Sequence, residues 1–297
     1  MSKIPFTDSM RFDPKTTLFV TDLDGTLLNP DATLPEGAVD AIHDLNRDGV
    51  HLTYATARTI RSAAFILRGL PFPAPIALMN GVLMRDMNEG RYVDSNLLSP
   101  ETAEKILTAG GEPFVYTLTP EGELFTAYHR IANDHMEDFI KERVDKYAKP
   151  FRQLDDFHTL LEEKQRIIYF CYLDTEEHLR PIHDAIAALR DPAGEICTKC
   201  AFYPDHYRPG LWYLEVFAPT ASKGTVIRRL REMTGAKTIV CFGDNGNDLP
   251  MFAQCDYAFA VERAADAVKA AADAVIPGGM GVIEFIREHV ISKAVGG

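Results

Sequence analysis

Leu18-Phe19-Val20-Thr21-Asp22-Leu23-Asp24-Gly25-Thr26 carries more information than any other stretch of this chain. An apolar, strand-forming run ends in two carboxylates one residue apart, and a glycine then lets the backbone turn. Paired acidic oxygens at such a place suit a hard cation and a phosphate. The same residues also suit a plain turn, because Asp and Gly favour turns and Thr caps helices. What accompanies the motif therefore decides its meaning.

Working outward, Leu18 to Thr21 reads as a buried strand, Glu36 to Asp48 as an amphipathic helix, Val50 to Ala55 as a second strand and Arg58 to Arg68 as a second helix. Ile76 to Met79 reads as a third strand that runs into the turn signal Asn80-Gly81. Such alternation predicts a parallel sheet covered by helices, with ligands at the carboxyl ends of the strands. Asp22, Thr56 and Asn80 all fall at such ends.

After Val82 the texture changes. Val82 to Arg85 and Arg91 to Asp94 flank Asn88-Glu89-Gly90 like a hairpin. Helices are expected at Pro100 to Thr108, Asn133 to Tyr147 and Glu176 to Leu189. Strands are expected at Phe114 to Leu118, Leu124 to Tyr128, Arg166 to Tyr172, Glu195 to Thr198 and Trp212 to Phe217. Trp212 and Tyr213 are expected to contribute one face to the core of this inserted part. Alternation returns after Ala218-Pro219-Thr220, with a helix through Arg228 to Met233 and a strand at Thr238 to Phe242. The alanine-rich run Ala264 to Ala274 favours helix.

Three further segments bear on the opening motif. Thr56, in Tyr54-Ala55-Thr56-Ala57-Arg58, offers a hydroxyl where a strand gives way to a helix, which suits a phosphate oxygen or an ordinary N-cap. Lys223, in Ala221-Ser222-Lys223-Gly224, is either a solvated lysine or a counter-charge for carboxylate and phosphate. Gly243-Asp244-Asn245-Gly246-Asn247-Asp248 follows the apolar run Ile239 to Phe242. Its two acids, four residues apart, suit a cation and its surroundings, or else a turn in which Asp248 caps a helix.

Taken together and in this order, the four segments closely resemble the signatures of the haloacid dehalogenase superfamily, with Ala57 where glycine is usual. The insertion between Thr56 and Lys223 resembles the cap of its Cof-like branch. The resemblance implies an α/β fold, a Rossmann-like doubly wound parallel-sheet core formed by residues 1–83 and 218–297. It also implies a C2-type α+β cap formed by residues 84–217 that closes over the site and selects the substrate. It further implies a phosphatase that hydrolyses a small organic phosphate monoester, a sugar phosphate or related metabolite.

In that scheme Asp22 is the nucleophile and Asp24 the acid and base. Mg2+ is held by Asp22, Asp24 through its carbonyl, and Asp244, with Asp248 steadying the shell. Thr56, Lys223 and Asn247 grip phosphate. Arg58 and Asn80 are further substrate candidates, together with His206 and Arg208 in the cap segment Tyr203 to Gly210, which also reads as a surface hairpin loop. Rival readings are a phosphomutase, a phosphatase dedicated to one sugar phosphate, or a phospho-acceptor module without turnover.

Composition fits this picture. A chain of 297 residues with 46% hydrophobic content supports two ordinary domains. The formal charge of -12 speaks against nucleic acid or anionic membrane as partners, although a local basic pocket could still hold a small anion, so the expected partner is small, a phosphorylated metabolite if the resemblance holds. No apolar run of about 18 residues and no signal-like hydrophobic core stands in the sequence, so a cytoplasmic protein is expected, and a monomer or homodimer is the expectation for its assembly. Cys197 and Cys200 form an isolated C-x-x-C near His206, readable as part of a metal or redox site or as ordinary thiols. Arg228, Arg229 and Arg231 read as a solvated helix face.

Overall fold

Continuous apolar strands separated by amphipathic helices leave the chain few ways to bury its hydrophobic surface, and the computed structural model, which describes residues 5–67, 69–148, 150–205 and 208–291, shows which one it takes. The chain opens with β1 (Thr17–Thr21), α1 (Ala38–Arg47), β2 (His51–Tyr54), α2 (Ile60–Leu67), β3 (Ile76–Leu78), β4 (Leu83–Asp86) and β5 (Arg91–Ser95). It continues through α3 (Pro100–Thr108), β6 (Phe114–Leu118), β7 (Leu124–Tyr128), α4 (Asp134–Tyr147), β8 (Phe151–Gln153), α5 (His158–Glu162), β9 (Arg166–Thr175), α6 (Glu176–Ala187), β10 (Lys199–Pro204) and β11 (Leu211–Phe217). It closes with α7 (Lys223–Thr234), β12 (Thr238–Gly243), α8 (Leu249–Phe252), β13 (Tyr257–Val261), α9 (Asp266–Ala271), β14 (Ala274–Ile276) and α10 (Met280–His289).

These elements form two compact units, residues 1–94 with 222–297, and residues 95–221. In the first unit the strands lie in the order β14-β13-β12-β1-β2, all parallel, and a parallel bridge between Ala55 and Ala77 sets β3 beyond β2. β4 and β5 extend from β3 as a hairpin, so residues 84–94 belong with the parallel sheet rather than with the insertion. All five residues of β1 are buried, as expected for a strand with helices over both faces. α1 buries Ala38, Ala41, Ile42 and Leu45, a helical stripe that packs against α10.

The chain winds outward from β1 to β2 in one direction and from β12 to β13 and β14 in the other. The two directions part between β1 and β12, and a parallel sheet offers its ligand crevice at the carboxyl ends beside such a point. Register makes this concrete. Thr21 lies opposite Tyr54 on one side and Phe242 on the other, so the three strands end level and release Asp22, Ala55-Thr56 and Gly243-Asp244 side by side.

In the second unit the strands run β10-β11-β9-β6-β7-β8, antiparallel apart from the β7 and β8 pair. Its core gathers Phe170, Tyr172, Leu214 and Val216 with residues of α3, α5 and α6. Trp212 packs against that core, whereas Tyr213 stacks on Tyr203 at 5.5 Å. Adjacent strand residues point to opposite faces, so the two aromatics do not share one, contrary to the expectation from sequence.

Two other expectations are corrected. No strand forms at Glu195 to Thr198. Asp191 Oδ1 accepts from the amides of Ala193 and Glu195, turning the chain there, and pairing with β11 begins at Lys199. The alanine-rich run is helical only in α9, because Ala274 and Val275 pair with Phe259 and Ala260 as the edge strand β14. Helix α2 begins at Ile60 rather than Arg58, and Arg68 lies outside the described residues.

Candidate active site

The level strand ends place three acids around one lysine. Asp22 leaves β1 with its amide bonded to Phe242 O at 2.9 Å, which fixes the turn against β12. Lys223 is the first residue of α7, whose start is capped by Ser222 Oγ accepting from Thr225 N at 3.0 Å. Its Nζ donates to Asp22 Oδ1 at 2.5 Å and to Asp248 Oδ1 at 2.6 Å. The lysine side chain has no solvent exposure, and a buried ammonium persists only when paired in this way. α7 reaches this depth because Gly224 lets it touch α8. A Cβ there would stand 2.4 Å from Pro250 O.

Asp248 occupies both of its oxygens. Oδ1 accepts from Lys223, and Oδ2 accepts from the amides of Asp244 and Asn245 at 2.9 and 3.0 Å. It therefore anchors the loop after β12 and sets the position of Asp244, whose Oδ1 accepts from the Thr26 hydroxyl at 3.0 Å. Gly25 stands against the other Asp244 oxygen with φ +81°, and a Cβ there would lie 2.2 Å from Oδ2. Only glycine allows both that backbone angle and that approach.

Burial pushes the Asp22 carboxyl well above its ordinary value. Lys223 opposes the shift, while Asp248 and Asp244 add to it. Asp244 is raised by burial and then by Asp248, with the Thr26 hydroxyl opposing. For Lys223, burial disfavours the charge, but Asp22 and Asp248 outweigh it and hold the ammonium above its usual value. Three carboxylates against one ammonium leave an excess of negative charge in a confined space, a condition a divalent cation relieves.

One oxygen from each of Asp22, Asp244 and Asp248 lies within 4.8 Å of the others. The donor set is wholly oxygen, which fits Mg2+. Because Asp248 is engaged by Lys223 and two amides, Asp22 and Asp244 are the side chains with oxygen left for an ion.

The side chain of Asp24 stands apart from that cluster. Its two oxygens accept from Arg58, Oδ1 from one terminal nitrogen at 2.6 Å and Oδ2 from Nε at 2.7 Å. Arg58 is braced by Ser62 Oγ at 2.8 Å, and its amide is held by Thr56 Oγ1 at 3.1 Å. Thr56 is almost fully buried, and its amide and carbonyl bond Ala77 O and Asn80 N at 3.0 and 2.9 Å. Asn80 Oδ1 in turn accepts from Asn247 Nδ2 at 3.1 Å, which links the turn after β3 to the loop after β12.

The site residues singled out in the first unit thus fall on loops, and for Lys223 on the first turn of α7, at one end of its sheet. Arg208 is in the second unit, in the turn between β10 and β11, where its amide bonds Asp205 Oδ1 at 3.2 Å. His206 lies outside the described residues. The sequence assigns Thr26 nothing beyond a helix cap and gives Ser62 no role. Thr26 was within the quoted motif, but nothing in a linear reading ties it to Asp244. Cys197 and Cys200 are free thiols, burial raises the Cys200 thiol to about 11, and among the described residues no group of three possible metal ligands includes them.

A doubly wound parallel sheet that presents an aspartate after its central strand, with a buried lysine and two further acids alongside, defines a core suited to phosphoryl chemistry. The family profile described as haloacid dehalogenase-like hydrolase matches residues 19–279, and the chain belongs to that family as a phosphatase of the Cof-like type. It is 23% identical over 288 residues to the 5-amino-6-(5-phospho-D-ribitylamino)uracil phosphatase YitU of Bacillus subtilis, covering 93% of this chain and 98% of the relative. It is 27% identical over 237 residues to the HMP-PP phosphatase of Cronobacter sakazakii, covering 77% and 78%. A crystal structure of a Thermotoga maritima protein superposes with a TM-score of 0.71 at 24% identity, covering 96% of this chain and 98% of that one. None of the helices formed by the described residues is long and apolar enough to cross a membrane.

Proposed function

We propose that this protein is a Mg2+-dependent phosphatase that hydrolyses the phosphate monoester of a small metabolite, a sugar phosphate or a comparable polar compound, through a phosphoryl group carried transiently on Asp22. The observation that carries the reading is the buried lysine bridging Asp22 and Asp248, with Asp244 beside them. A lone turn or a structural ion pair does not require three acids around one ammonium at the ends of two adjacent strands. The relatives named above are phosphatases of small phosphorylated compounds, which supports the same substrate class.

Asp22 attacks the substrate phosphorus while the bond to the leaving oxygen breaks, and Asp24 delivers a proton to that oxygen. Asp24 then takes a proton from water, which attacks the phosphoryl group and frees Asp22. Lys223 opposes the burial penalty on an ionised Asp22, holds its carboxyl close, and offsets the charge of the incoming phosphate. Asp22 and Asp244, with the Asp24 carbonyl, would hold the cation, which when bound would add charge neutralisation for the phosphoryl group. Thr56 and Asn247 lie on the neighbouring loops and donate hydrogen bonds to the phosphate oxygens. Selection among metabolites falls to the second unit, and the enzyme acts in the cytosol.

The test is a panel of phosphorylated metabolites incubated with the protein and Mg2+, read by release of inorganic phosphate. The expected result is release from several sugar phosphates or similar compounds, abolished by a chelator. An isomerised sugar phosphate, or a stable phosphoprotein with no release, contradicts the proposal.

A further inference from the structure

We propose that Arg58 is a positioning residue that acts through Asp24 and does not bind the substrate, an inference that rests on the phosphatase reading above. Asp24 leaves its loop with 47% of its side chain exposed, so by itself it can sample several rotamers over the site. The guanidinium removes that freedom by contacting both carboxylate oxygens, which fixes the plane of the group as well as its distance.

Arg58 is itself immobilised by contacts with three other residues. Its third guanidinium nitrogen donates to Ser62 Oγ at 2.8 Å, one turn along in α2. Its amide donates to Thr56 Oγ1 at 3.1 Å, and its carbonyl accepts from Met79 N at 3.1 Å. The side chain is 18% exposed, and all three guanidinium nitrogens have protein partners. An arginine placed to grip a phosphate presents its fork outward, whereas this fork is closed on Asp24. Orientation of a proton-transferring group counts in the transition state and not in ground-state binding, so its loss lowers kcat and leaves KM alone.

The test compares wild type, Arg58→Ala, Asp24→Asn and the double variant on an alkyl phosphate and on p-nitrophenyl phosphate, whose leaving group needs little protonation. For Arg58→Ala the expected result is a kcat loss of about tenfold or more on the alkyl substrate, a smaller loss on the aryl one, and KM within about twofold. The double variant should be no slower than Asp24→Asn by more than about twofold, because Arg58 has no other route to the chemistry. Ser62→Ala, which keeps the pair and removes only its brace, should show the same leaving-group pattern in milder form. A raised KM for Arg58→Ala, equal losses on both substrates, or additive losses in the double variant overturns the proposal alone. No phosphate release from either compound by the wild type overturns the phosphatase reading and this inference with it.

Discussion

Lys223 Nζ sits 2.5 Å from Asp22 Oδ1 and 2.6 Å from Asp248 Oδ1, with the lysine wholly buried. The first residue of α7 thereby ties the end of β1 to the loop after β12, although the three residues are far apart in sequence. Removing one partner of a buried ionic cluster strands the others. Lys223→Met is expected to destabilise the protein by about 3–5 kcal/mol and to abolish turnover. Urea unfolding followed by circular dichroism checks the first part, and a loss below about 1 kcal/mol contradicts it.

Charge excess around Asp22 and Asp244 predicts that Mg2+ stabilises the folded state. A ligand that binds only the native protein at about a hundred times its Kd adds about 2.7 kcal/mol. Thermal melts should shift upward with added Mg2+, and Asp244→Asn should lose most of the shift. An unchanged response in that variant shows that Asp244 does not hold the ion.

Gly25 gives a test of geometry rather than charge. At φ +81°, with a Cβ position 2.2 Å from Asp244 Oδ2, Gly25→Ala must displace either the loop or the acid. A destabilisation of about 1 kcal/mol or more is expected, together with a fall in kcat of at least about tenfold. Retention of wild-type kcat shows that the contact between the two loops has no bearing on activity.

In the second unit, burial raises the Glu215 carboxyl above its ordinary 4.5, with hydrogen bonds from Tyr169 and Tyr203 opposing. The native state therefore binds a proton that the unfolded chain releases. The stability linked to this group is complete at low pH and is lost as pH rises towards the folded value. Glu215→Gln cannot titrate, so its stability relative to wild type should improve as pH rises above the ordinary carboxylate value of 4.5, until the folded group ionises as well. A constant difference across that range contradicts the assignment.

The sequence made the chemistry of this site more legible than its connections. Asp22, Thr56 and Asp244 each follow an apolar run. Parallel pairing of Thr21 with Tyr54 and Phe242 then brings those positions level, so a strand-end reading is enough to gather them. The bond between Asp24 and Arg58 joins residues 34 positions apart through side-chain rotamers on two loops, which no periodicity encodes. Ser62 as its brace is invisible for the same reason. In the second unit β8 and α5 are too short to show a period, and β10 begins only after Asp191 and Thr198 have turned and pinned the chain. Local propensity does not carry such long-range bonds, and the alanine-rich run shows the converse case, in which pairing with β13 overrides helix preference.

The most direct test of the account is a single turnover on a metabolite phosphate in the presence of Mg2+, quenched in acid and followed by mapping of phosphorylated peptides. A phosphoryl group on the peptide that contains Asp22, absent from a folded Asp22→Asn variant that also releases no phosphate, is the predicted result. Phosphate release by Asp22→Asn at a rate close to wild type contradicts it.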